Sequence, residues 1–256
     1  LNRLATAMEK AMKLKKQIKG AMTYPIAVLS VAIGVIIFLM VKVIPVFAGL
    51  FSSFGNELPA PTQFVMDLSH WFQSNIWYIL GTIFASITGF RAMRANQKGR
   101  EISDDLFLHL PIFGDLIRKV AVARFTRTLS TMMSSGVPIM EALEIVAKTA
   151  GHETVKREIM RARQAVSEGK SLTEPLEEGN VFPSMVTQMI NVGESTGAMD
   201  AMLGKIADFY DEEVDVAVEA MTSLMEPIII VFLGGAIGGI LIAMYLPIFD
   251  IAGNIG

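Results

Sequence analysis

The stretch PIAVLSVAIGVIIFLMVKVIPVF, from Pro25 to Phe47, decides the fold. A helix rises about 1.5 Å per residue and a bilayer core is about 30 Å thick, so roughly 20 apolar residues suffice to cross it. This stretch is long enough, and its one charge, Lys42, lies near the far end, where a lysine can snorkel into the headgroups. A second such run, PIIIVFLGGAIGGILIAMYLPIF from Pro227 to Phe249, carries no charge. Hydrophobic residues make up 52% of the chain and charged residues 18%, with the apolar ones gathered in blocks, as in a membrane protein.

A third run, Phe72 to Phe90, is weaker, because Gln73, Ser74, Asn75, Thr82, Ser86 and Thr88 interrupt it. Hydropathy alone would allow it to lie in the interface. The flanking charges decide the matter. Arg3, Lys10, Lys13, Lys15, Lys16 and Lys19 precede the first run, and Arg91, Arg94, Lys98 and Arg100 follow the middle one. Between them, residues 48–75 hold Glu57 and Asp67 but no Lys or Arg. Basic flanks stay cytoplasmic, so the chain reads in, out, in, out, and three spans satisfy that order. Trp71, Trp77 and Tyr78 fall where the second span meets the outer interface, the depth aromatic residues prefer.

The two strong spans copy one pattern. Pro25 and Pro45 stand 20 residues apart, as do Pro227 and Pro247, and the endings Ile44-Pro45-Val46-Phe47 and Leu246-Pro247-Ile248-Phe249 match. At the same offset Leu1-Asn2-Arg3-Leu4-Ala5 aligns with Leu203-Gly204-Lys205-Ile206-Ala207. Residues 1–24 therefore read as the end of a helix equivalent to 199–226, and the repeat predicts a first copy of the 100–226 domain upstream of Leu1.

Residues 91–226 read as an antiparallel bundle of six or seven helices, so the fold class is all-α, a cytoplasmic bundle plus three transmembrane helices. Helices are predicted at 102–109, 115–134, 138–149, 153–168, 171–178, 183–195 and 199–226. Breaks fall at Pro111 with Gly114, Gly136-Val137-Pro138, Gly151, Gly169, Gly179 with Pro183, and Gly197. Ser171-Leu172-Thr173-Glu174 suggests a capping box. The predicted layout is thus 1–24 end of a first cytoplasmic domain, 25–47 first span, 48–71 periplasmic loop and 72–90 second span. Residues 91–226 form the second cytoplasmic domain, 227–249 the third span and 250–256 a periplasmic tail.

No catalytic constellation, cofactor motif or metal-ligand spacing emerges. Gly169-Lys170-Ser171 resembles the end of a phosphate-binding loop, but position 164 is Gln and a helix precedes it, where that loop needs Gly and a strand. His70, His109 and His152 are scattered, and no cysteine is present. A net charge of -3 gives no reason to expect nucleic acid as a partner. Gly193-Glu194-Ser195-Thr196-Gly197 reads as a helix end with a tight turn, or as a contact loop. Gly234 with Gly238, and Gly235 with Gly239, form overlapping GxxxG pairs that let another helix pack closely. Lys156, Arg157, Arg161 and Arg163 make one helix basic, either a solvated face or a surface for a partner protein.

Taken together, these residues resemble the polytopic inner-membrane platform proteins of type IV pili and type II secretion, the PilC/GspF type. The resemblance covers the whole chain. It is carried by Tyr24-Pro25 through Pro45, Arg124-Phe125-Thr126-Arg127-Thr128-Leu129, Ser135-Gly136-Val137-Pro138, Ala142-Leu143 and Gly169-Lys170-Ser171-Leu172. Phe182-Pro183, Val192-Gly193-Glu194-Ser195-Thr196-Gly197, Tyr210 with Glu212-Glu213-Val214, and Glu226-Pro227 to Phe249 complete it. It implies a non-enzymatic scaffold in the bacterial inner membrane, with two homologous cytoplasmic domains and no cofactor. Implied partners are a hexameric assembly, retraction or secretion ATPase, pilin or pseudopilin subunits, other inner-membrane assembly proteins and membrane lipid. ATP-driven movement of such a platform is thought to insert or remove fibre subunits, and the helix from 199 to 249 would transmit it if Pro227 bends it without breaking it. A homo-oligomer is expected through the glycine face. Arg124, Arg127, Arg157, Arg161, Gly193, Glu194 and Gly197 are the candidate partner contacts. A transporter or permease subunit is the alternative, and it would need a polar path through the membrane.

Overall fold

The computed structural model describes residues 2–52, 58–110 and 113–254. The expected break at Pro111, the side chains of Arg3, Lys10, Lys13, Lys15 and Asp250, and Glu57 in the predicted loop lie outside what is described. Among the described residues every regular element is helical. In chain order these are α1 (Asn2–Phe38), a π-helical turn (Leu39–Val43), α2 (Ile44–Ser52), α3 (Ala60–Ala95), α4 (Gln97–His109) and α5 (Phe113–Ser134). Then follow α6 (Ile139–Thr149), α7 (Glu153–Ser167), α8 (Thr173–Glu177), α9 (Ser184–Thr196) and α10 (Met199–Asn254). Three stretches, Lys19–Phe51, Ala60–Ala95 and Met199–Phe249, are long and apolar enough to cross a membrane. Several elements overrun their expected ends. α3 begins at Ala60 rather than Phe72, and α10 continues through Pro227 and Pro247 to Asn254.

Two compact units divide the chain. Met22–Phe90 with Thr222–Gly256 is the membrane unit, and Leu1–Ala21 with Arg91–Met221 is the helical bundle.

In the membrane unit, Met40, Ile44, Ile240 and Met244 form a small core, covered by Val65, Met66 and Phe72 from α3. The outward faces stay apolar: Trp77 is 81% exposed and Val231 74%. In lipid a backbone carbonyl without a donor costs several kcal/mol, roughly the desolvation of one amide, and the two C-terminal prolines of the repeat create such carbonyls. After Phe38 the helix loosens, and Ile44 N–H donates to Leu39 O, five residues back. The next bond of that register would come from residue 45, but Pro45 has no N–H. Met40 O is therefore left without a helical donor, and Ser69 Oγ and Gln73 Nε2 of α3 donate to it instead. Gln73 Nε2 also donates to Ser69 Oγ at 3.0 Å. In the second copy Pro247 leaves Ala243 O, four residues back, without its donor, and Thr62 Oγ1 of α3 supplies one. Thr62 and Ser69 lie two turns apart on one face of α3, and both are buried. The polar residue Gln73, which weakens the hydropathy of the second span, is thus a backbone donor.

In the bundle, helices that follow one another pack in pairs, α4 on α5, α5 on α6, α6 on α7, α7 on α8 and α8 on α9, with α4 also against α7. Its core contains Val122, Phe125, Leu129, Leu143, Ile159, Leu176, Ile190, Leu203 and Ile206. Phe125 meets Phe182 edge-on with centroids 4.8 Å apart. Asn96, in extended conformation, separates α3 from α4. The turn back is close enough that a Cβ on Gly99 would collide with the Met93 carbonyl. Asp104, nearly fully buried, then ties three elements: Oδ1 accepts from Arg94 at 2.7 Å and Oδ2 from Glu153 N–H at 2.9 Å, the first turn of α7.

Ser69→Ala is expected to cost between about 0.6 and about 2 kcal/mol, the range of hydrogen bonds within membranes. Pro45→Ala, which returns an N–H to the helix, should shrink that cost. Unfolding equilibria of the four chains of this cycle in bicelles test the coupling. An equal cost in both backgrounds would show that Ser69 does not serve the carbonyl freed by proline.

Candidate functional site

The bundle surface is built from residues that face outward after internal ties are made, and those ties absorb several sequence candidates. Arg127, on α5, lies against α10, with its Nη2 2.7 Å from Asp208 and 2.6 Å from Asp211. Burial opposes its charge, but the two carboxylates outweigh that and hold the guanidinium above its usual range. Two turns earlier on α5, Lys119 bridges Asp115 at 3.2 Å and Glu213 at 2.9 Å. The acidic face of α10 thus answers basic residues of α5.

Two glycine-bearing segments 23 residues apart meet. Ser171 Oγ donates to Glu194 Oε2 at 2.6 Å, Leu172 N–H to Glu194 Oε1 at 3.1 Å and Thr173 Oγ1 to Oε2 at 3.3 Å. The capping box expected within Ser171–Glu174 is rearranged: Ser171 Oγ accepts from Thr173 N–H, and Glu194, not Glu174, supplies the reciprocal carboxylate. α8 starts only at Thr173, with Leu172 already helical, so Glu174 lies too early in the turn to reach back. Gly193 sits where α9 crosses the start of α10. A Cβ there would come 3.0 Å from Met199 Cα, backbone that cannot yield easily. Gly197 ends α9 at φ 72°, a left-handed C-terminal residue that favours glycine. The structure therefore places Gly193, Glu194 and Gly197 in the corner joining α8, α9 and α10.

Arg124, Arg157 and Arg161 remain exposed. Arg124 borders a cavity of about 310 Å³ walled by Phe107, Leu116, Ile117 and Val120, beside His152. Neither ring nitrogen of His152 has a hydrogen-bond partner, and burial pushes its pKa down against the pull of Asp104. Arg157 and Arg161 line a different cavity of about 520 Å³, together with Arg118 of α5 and Glu158. Glu158 is 6% exposed. Its Oε1 accepts from Asn180 N–H at 3.1 Å, and its Oε2 is enclosed without a partner. A Cβ on Gly179 would strike this carboxylate, so that loop needs glycine to approach it. Burial pushes the Glu158 pKa up, against the Asn180 and Val181 amides and then Arg161 and Arg157.

Sequence reading missed Arg118, Glu158, Asp104 and His152. Glu158 left a signal, since it shares helical spacing with the buried Val155 and Ala162, an apolar face where a carboxylate is out of place. The others left none, because what surrounds them comes from helices brought together only by the packing. In the membrane unit, nothing among the described residues, apart from the helix's own nearby backbone and chain neighbours, lies within 4 Å of where a Cβ would stand on Gly234, Gly235, Gly238 or Gly239, so α10 keeps that face open.

The chain is similar to proteins of known families over all of this structure. Residues 1–45 and 125–247 match the family described as type II secretion system (T2SS), protein F. Type IV pilus assembly protein PilC of Myxococcus xanthus is 55% identical over 255 residues, covering 100% of this chain and 61% of that protein. PilC of Pseudomonas aeruginosa is 43% identical, covering 100% of this chain and 69% of that protein. Type II secretion system protein F of Aeromonas hydrophila is 33% identical, covering 98% and 65%. The chain spans about three-fifths of the length of the first of these relatives.

Two outcomes follow for the bundle. Glu194→Ala should cost about 1 to 3 kcal/mol, the penalty of an orphaned buried amide, seen as faster hydrogen exchange in α8 and α9. Glu158 holds its proton to higher pH in the fold than its ordinary 4.5. The stability it contributes is therefore full below that value and is lost as pH rises through the raised one. Glu158→Gln should flatten this loss between acid and neutral pH, read from α7 amide exchange. A variant with the same pH slope as the parent would remove Glu158 as its source.

Proposed function

The chain belongs to the type II secretion system protein F family, and we propose that it is a non-enzymatic membrane platform of a fibre-assembly machine. Its three apolar helices, with that family membership, make it an inner-membrane protein. The observation that carries the proposal is similarity across the whole of this chain, at 55% and 43% identity, to proteins named for type IV pilus assembly. The lower 33% to a secretion protein favours pilus assembly over type II secretion. In this reading the basic flanks hold the bundle in the cytoplasm and the end of α10 reaches the periplasm. The platform meets a hexameric motor ATPase through the bundle and pilin subunits within the membrane. The open glycine face of α10 takes another helix, from a second copy or a subunit in transit.

Arg124, Arg157 and Arg161 are the proposed motor contacts, because they face outward without being engaged in internal ion pairs. Arg127 is committed to α10 and Gly193 is buried, whereas Glu194 and Gly197 are exposed and stay among the proposed contacts. A transporter would need polar side chains along a path, whereas Thr62, Ser69 and Gln73 are already committed to backbone carbonyls.

Photo-crosslinking in cells from positions 124 and 161, with the exposed position 194 as a third probe, is the direct test. Capture of a hexameric ATPase from the first two supports the reading, and solute-binding partners would replace it with a transporter. Arg157→Glu with Arg161→Glu should weaken motor binding by about tenfold or more, on the order of 1.4 kcal/mol, while helicity stays intact. Unchanged binding by the folded double variant would remove these arginines from the contact.

A further inference from the structure

Three arginines line the cavity of about 520 Å³. Arg118 comes from α5, and Arg157 and Arg161, one helical turn apart, come from α7. Among the described residues none of the three is ion-paired, in contrast to Arg94, Arg127 and Arg163, each of which holds a carboxylate. The Nε of Arg118 is enclosed and has no acceptor. A buried donor left in this way is unfavourable, and neighbouring guanidinium groups repel one another until an anion joins them. Asp105, Glu158 and Glu178 also line the cavity, but none of them forms an ion pair with these arginines; the Glu158 carboxylate accepts from the Asn180 amide instead, and its burial favours the protonated form.

Size decides what would complete this arrangement. Ligand cavities run from about 300 to about 1,000 Å³, so the space exceeds what one inserted carboxylate side chain would fill. Guanidinium forks match the oxygens of a phosphate bidentately. The lining includes no Phe, Tyr or Trp on which a base could stack.

We propose that this cavity binds a small phosphate-bearing anion, held by Arg118, Arg157 and Arg161. The phosphate groups are the part recognised. The proposal goes beyond the motor contact and does not require it, since binding is a property of the isolated chain. If both hold, an anion seated on Arg157 and Arg161 competes with the motor for the same charges.

The test is titration of inorganic pyrophosphate into the full chain in zwitterionic nanodiscs at matched ionic strength, followed by calorimetry. Saturable binding is expected. Arg157→Gln, Arg161→Gln and Arg118→Gln should each weaken it about tenfold, the scale of one lost charge-assisted hydrogen bond. Arg124→Gln, which borders the other cavity, should leave it unchanged. Because Arg118 is partly buried, the exposed pair decides the outcome if Arg118→Gln fails to fold. No saturable binding, or equal binding by parent and the Arg157 and Arg161 variants, overturns the proposal. Repeating the titration with phosphatidylglycerol in the nanodisc identifies the source: competition assigns the phosphate to a lipid headgroup, and its absence to a soluble ligand. Loss of motor binding in cells without loss of pyrophosphate binding would separate the two readings.

Discussion

Pro45 and Pro247 remove hydrogen-bond donors from helices that lie in lipid, and the membrane unit is organised around replacing them. Water could satisfy the Met40 and Ala243 carbonyls in a soluble protein, but in hydrocarbon the donor must come from the chain. α3 provides it through Ser69 with Gln73 on one side and Thr62 on the other. The small apolar core of Met40, Ile44, Ile240 and Met244 lies among these bonds. α3 therefore links the two copies of the repeat, each time through a hydroxyl placed where a proline has freed a carbonyl. The two joints differ in register: the first is a π-helical turn with the acceptor five residues before proline, the second an ordinary helix with the acceptor four before.

A parallel logic governs the bundle, where carboxylates, two of them buried, join elements that apolar packing alone would leave free to slide. Asp104 binds Arg94 and the first amide of α7, Glu158 the α8–α9 loop, and Glu194 the approach to α8. Removing one partner of such a group costs more than the pair contributes, because the other stays buried and unsatisfied. These ties also separate the arginines by role. Arg127 is committed to α10, whereas Arg124, Arg157 and Arg161 stay at the surface.

Glycine shows how one motif serves geometry. Gly193 admits the backbone of α10, Gly197 takes a left-handed turn, and the Glu between them faces back to α8. A loop of this composition looks like a contact surface in sequence. Glu194 bonds back to the start of α8, while residues 194–197 stay exposed.

Composition and local pattern alone determined the three spans, the helical character of the bundle and the proline repeat. Each depends on spacing along one helix or on runs of like residues, which a linear reading contains. Most helix breaks in the bundle were equally legible, since Gly136, Gly151, Gly169 and Gly197 all take positive φ. The early start of α3 at Ala60 was not, because Thr62 and Ser69 look like loop residues until their acceptors on other helices are known. The pairing of Ser171 with Glu194, of Arg127 with Asp208 and Asp211, and of Arg118 with Arg157 and Arg161 was decided only in three dimensions. These groups come from separate helices, and the partner of a charge depends on which faces the packing brings together, which no spacing along one helix encodes.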